Sequence, residues 1–239
     1  LSIALPIMAQ LLIQNLVSLV DNFMVAGLGD IKMSGVNIAG QINFVFLVLM
    51  NTICASGGIF MSQFKGAKDK EGMEQTFKFK LIVCGLIGIS YTILSFIAPR
   101  PLFNLMVTTN NDANIILDYS VIYSKSVALS WLFMVFSQAI ASSLREIEIV
   151  KPPLVISIIA TLINTFFNWV FIYGNLGAPR FEVAGAGYAT VIARFAELAM
   201  FIVYAAIKKP EFLFKIKTFL QVKFRLFISI FNKSAMILY

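Results

Sequence analysis

The chain has 239 residues, of which 59% are hydrophobic and 13% charged, and its mean hydropathy is +0.86. A soluble globular domain carries about a quarter charged residues, so this composition excludes one and describes a polytopic membrane protein with the lipid bilayer as its partner. Several long apolar runs, in place of short alternating segments, exclude a transmembrane barrel and predict an all-α bundle. The net charge of +7 sits in connections between apolar runs, where lysine and arginine set orientation, so no nucleic-acid partner is read from it.

The first predicted span covers 1–29, and Asp21 is its only charge until Gly29. An aspartate inside hydrocarbon costs on the order of 2.5 to 3.5 kcal/mol, so it is kept where it faces a cavity or a partner. The alternative is an interfacial position, since Asp21 lies eight residues before Gly29. A second span is predicted over 33–63. Asn37 and Gln41 share a face, and Asn51, Thr52 and Ser56 follow; lining of a wet cavity and hydrogen bonding between packed helices both fit this pattern. Gly57, Gly58, Gly66 and Ala67 form a tight exit into KDKEGMEQTFKFK, read as a strongly basic loop. The third span, 81–98, is expected to stop at Pro99-Arg100-Pro101, where restricted dihedrals and missing N–H groups end a helix.

The connection 102–114 contains the polar cluster TTNNDAN, with an interfacial helix before it. The fourth span, 115–143, carries Lys125, which either snorkels to the surface or lines a substrate cavity. Arg145, Glu146, Glu148 and Lys151 read as a charged loop leading to Pro152-Pro153, a pair suited to the first turn of the fifth span, 154–173. Thr161, Asn164 and Asn168 form one stripe of that span and are candidate partners for Asp21. After a turn at 174–182, the sixth span opens with AGAGYAT, whose small residues allow close helix approach, and carries Thr190. Arg194 and Glu197, three apart, read as a structural pair. The basic stretch 208–225 is expected to lie amphipathically at the membrane surface, and a last apolar run begins at Leu226.

Lysine and arginine concentrate in the loops after spans two, four and six, which places those loops and the N-terminus in the cytoplasm. The sequence starts without Met and both ends fall in apolar stretches, so a longer parent protein is expected. Cys54 and Cys84 stand in apolar runs without ligand spacing and read as small hydrophobes. With no histidine, no HExxH and no GxSxG, an enzyme is not expected.

Pro6, Gln10 and Asn15 with VDNFMVAGLG, then GGIFMSQFKGAKD, INTFFNWVFIYG and VAGAGYATVIAR, together resemble the multidrug and toxic compound extrusion (MATE) family, over nearly the whole chain. The resemblance implies a two-lobe, twelve-helix transporter of the plasma (bacterial inner) membrane. This chain would supply the amino-terminal six-helix lobe (1–207), the inter-lobe linker (208–225) and the start of helix seven (226–239), with the second lobe as its partner. It implies export of amphipathic, cationic small molecules coupled to sodium or protons, without a cofactor. The positions that bind the coupling ion in the family match Asp21, Asn164, Asn168 and Thr190; Asn37, Gln41 and Lys125 are candidate cavity-lining residues, and Pro6 is a candidate helix kink. Some relatives carry an aspartate at the position of Asn168, and many read LRG where this chain has Leu144-Arg145-Glu146. A lipid-linked oligosaccharide flippase of the same superfamily, or a non-transporting membrane scaffold, is the alternative.

Overall fold

The computed structural model describes residues 8, 12, 19–20, 22–104, 112–214 and 226–230. Helix α1 is described over 22–26 and ends at a turn where Gly29, at φ 104°, adopts a backbone geometry that side-chain-bearing residues avoid. Helices α2 (Asp30–Gly66), α3 (Lys70–Ile97), α4 (Pro99–Asn104), α5 (Ala113–Glu146), α6 (Lys151–Tyr173) and α7 (Val183–Lys208) follow. Among the described residues, α2, α3, α5, α6 and α7 are long and apolar enough to cross a membrane. Most of the first expected span, the linker residues 215–225 and the terminal stretch 231–239 lie outside the described residues.

Helix α5 stands at the centre, packed against α2, α3 and α7, while α6 packs on α7. One core joins Met61, Met73, Phe77, Ala139, Leu144, Ile156, Phe201 and Phe212; a second joins Met50, Phe79, Cys84, Tyr91, Trp131 and Val135. Phe212 places the start of the expected linker, just beyond α7, inside the first core.

Two expected loops are helical. The basic segment 70–80 forms the first eleven residues of α3. Asp69 caps that helix, its carboxylate accepting from the N–H of Gly72 at 3.0 Å, and Met73, Thr76, Phe77 and Lys80 then repeat at helical spacing and are all buried. A 3.6-residue periodicity thus runs through the basic segment, and its apolar members pack well enough to carry lysines inward. At the far end of α5, Arg145 and Glu146 belong to the helix, and Lys151 opens α6. Pro152 and Pro153 do sit in the first turn of α6, where a missing N–H costs nothing. Helix α3 ends at Ile97, just before Pro99, and a short helix, α4, begins at Pro99, earlier than the helix expected before TTNNDAN.

Candidate functional site

The polar stripe of α6 meets α7. Asn164 donates from Nδ2 to Thr190 Oγ1 at 3.4 Å, and Asn168 Nδ2 donates to Asn164 Oδ1 at the same distance. The Thr190 hydroxyl donates in turn to the Ala186 carbonyl, 2.9 Å away and one turn earlier in α7. Asn168 is buried at 3% exposure, so its amide has been taken out of solvent. On the opposite face of α6, Val155, Ile159, Leu162, Phe166 and Trp169 are exposed, as befits a surface facing lipid. Thr165, a position that the spacing argument passed over, has a buried Oγ1 with no hydrogen-bond partner among the described residues.

Glycines set how closely α7 approaches its neighbours. A Cβ on Gly185 would lie 2.6 Å from the Phe171 carbonyl oxygen of α6, and one on Gly187 would strike Ser126 of α5. The AGAGYAT segment therefore admits the close contact that brings Thr190 within reach of Asn164.

Asp21 and Pro6 lie outside the described residues. Immediately after position 21, Val25 packs with Ile172 and Ala186, with Met24 and Leu28 beside them, and the Tyr173 hydroxyl donates to the Met24 carbonyl at 3.0 Å. Helix α1 thus meets the same helix pair that carries Asn164, Asn168 and Thr190.

Asn37 and Gln41 are exposed on one face of α2, and Lys125 is exposed on α5. Further along α2 the polar residues bridge helices: Asn51 Oδ1 accepts from Gln138 Nε2 of α5 at 3.2 Å, and Asn43 accepts from the Tyr91 hydroxyl of α3. Thr52 and Ser56 bond to carbonyls of their own helix. Arg194 and Glu197 form a pair at 2.8 Å within α7, with Glu197 buried.

A second polar cluster escaped the sequence reading. Lys80, fully buried, pairs with Glu146 and also donates to Ser142 Oγ at 3.2 Å. The Glu146 carboxylate rests against Gly58, where a Cβ would collide with it. Cys54 and Cys84 face each other beside this cluster, sulfurs 3.7 Å apart. The departure at Glu146 from the motif of the resembled family thus has a physical account: the carboxylate pairs with the lysine that α3 buries.

The family model described as MatE matches residues 6–170. The chain belongs to the MatE family. Among curated relatives, it is 25% identical over 202 residues to a probable multidrug resistance protein NorM of Idiomarina loihiensis, covering 83% of this chain and 42% of that protein. A probable NorM of Thermotoga maritima is 26% identical over 215 residues, covering 89% of this chain and 45% of that one. This MatE chain therefore spans less than half the length of these relatives.

Among solved structures, a MOP superfamily transporter from Pyrococcus furiosus superposes with a TM-score of 0.83 at 19% identity, over 98% of this chain and 51% of that one. The outward-facing conformation of a multidrug resistance MATE family transporter superposes at 0.79 with 21% identity, over 99% of this chain and 53% of that chain. At these identities the likeness establishes the fold: an all-α helical membrane bundle. The MatE match includes Asn164 and Asn168, and Thr190 lies beyond it.

Proposed function

We propose that this MatE chain is the amino-terminal lobe of a cation-coupled exporter that moves amphipathic, cationic compounds out of the cell by alternating access, working with a second lobe of the same polypeptide. The observation that carries the reading is the hydrogen-bonded chain Asn168 to Asn164 to Thr190, set between two apolar spanning helices that α1 adjoins. Amide and hydroxyl oxygens, joined by the one carboxylate of the first span at Asp21, make a hard donor set suited to a small cation such as sodium. The same carboxylate can accept a proton instead, so either ion serves the scheme.

Coupling follows from differential binding. An ion that favours one arrangement of the lobes and a drug that favours the other bias a single equilibrium in opposite directions, and linkage makes the effect reciprocal. The names of the NorM relatives, which describe multidrug resistance, support this substrate class. In the proposed orientation the loops after α2, α5 and α7 are cytoplasmic, as is the N-terminus, because they hold most of the lysine and arginine. The deciding experiment reconstitutes the protein with both lobes in liposomes and imposes a sodium or proton gradient: gradient-driven movement of a cationic dye is expected, and dye movement indifferent to both gradients refutes coupling.

A further inference from the structure

The basic turn between α2 and α3 plays no part in the transport chemistry above. Lys65 lies in the last turn of α2, Lys68 adopts a left-handed backbone at φ 55°, and Lys70 opens α3. These three lysines, with Met73 and Glu211, line one half-open cleft of about 400 Å³. Glu211 arrives from the segment after α7 and holds Lys65 at 3.1 Å. Lys68 and Lys70 are exposed and have no ion pair among the described residues. With three ammonium groups against one carboxylate, the lining carries a net +2.

Asp69, between Lys68 and Lys70 in the sequence, forms no ion pair with them among the described residues. Asp69 directs its carboxylate to the Gly72 N–H, closing the start of α3. The cleft also sits where α2, a helix long and apolar enough to cross a membrane, ends, and so on the headgroup side of that apolar span. Basic pockets there gain affinity for anionic headgroups with each added lysine.

We propose that the cleft formed by Lys65, Lys68, Lys70 and Glu211 binds the phosphate of an anionic phospholipid headgroup. Lys68 and Lys70 donate to the phosphate oxygens. Glu211 is the built-in competitor, holding Lys65 when no lipid is bound and yielding it when a phosphate enters. The inference goes beyond the transport reading and stands without it, since it requires only that the chain is embedded in a bilayer.

The test uses the two-lobe protein in detergent, titrated with phosphatidylglycerol, phosphatidylcholine or inorganic phosphate, and reads retained ligand by native mass spectrometry. Phosphatidylglycerol is expected to be retained in preference to phosphatidylcholine, with inorganic phosphate unable to displace it at equal concentration. Lys68→Gln with Lys70→Gln should weaken phosphatidylglycerol retention about tenfold or more, from about fivefold per lysine. Glu211→Gln should tighten it, an outcome that damage to the fold would not produce. Arg100→Gln removes a positive charge from the exposed pair with Asp118 and should change nothing. Equal retention of the two lipids, displacement by inorganic phosphate, an equal loss in Arg100→Gln, or weaker binding in Glu211→Gln each overturns the proposal.

Discussion

Lys80 of α3 donates to Glu146 of α5 inside the helix bundle, and Ser142 accepts from the same ammonium group. The lysine is completely buried, so its charge depends on that one carboxylate and the neighbouring hydroxyls. Removing one partner strands the other, and a stranded buried charge costs far more than the pair is worth. Glu146→Gly is expected to destabilise the chain by on the order of 3 kcal/mol. Lys80→Met combined with Glu146→Gly should recover most of that loss. Thermal unfolding in detergent checks both, and equal melting of the single and double variants would contradict the buried-pair account.

Gly185 lies against the backbone of α6, with the Phe171 carbonyl where a methyl group would go. Gly185→Ala should push α7 away from α6 and cost about 1 to 3 kcal/mol, the range for overpacking a tight contact. Gly40, which has open space around its ideal Cβ, should accept alanine with little effect or a small gain. Thermal unfolding of the two alanine variants side by side measures the difference.

Asn164 supplies the link between Asn168 and Thr190. Asn164→Leu in the two-lobe protein should raise the sodium or proton concentration needed for half-maximal export about tenfold, the effect of losing one ligand oxygen worth roughly 1.4 kcal/mol. Asn175→Leu should leave that concentration unchanged, since Asn175 lies beyond α6 and its amide donates to the Trp169 carbonyl, away from the Asn164–Thr190 contact. Dye efflux measured against ion concentration separates them, and equal shifts would assign Asn164 to packing alone.

Asp21 is the only acid of the first span. Asp21→Asn keeps the shape and deletes the charge, so insertion should improve by a fraction of the roughly 2.5 to 3.5 kcal/mol that a carboxylate costs at a helix centre. Drug binding should persist while gradient-driven movement is lost. Wild-type coupled transport by this variant would reduce Asp21 to an interfacial residue.

Single cysteines at Lys70 and Asn111 should react with a membrane-impermeant maleimide from opposite sides of the bilayer, Lys70 from the cytoplasm. Cys54 and Cys84 are buried and should stay unlabelled in this assay. Labelling of both positions from one side would break the proposed topology.

The spanning helices were legible because burial in lipid imposes a local rule. Each stretch must be apolar over about 20 residues and must satisfy its own backbone, whatever its neighbours are. The stripe of Asn164 and Asn168 could likewise be read from spacing, because residues three and four apart share a helix face. The sequence could not show that the basic segment 70–80 is helical and carries Lys80 into the interior, since its cost is repaid by Glu146, sixty-six residues further on. Nor could it show that Cys54 and Cys84, thirty residues apart, touch. Both depend on how α2, α3 and α5 pack against one another. Composition and periodicity determine what a helix can bury; only the packed bundle decides which charge meets which.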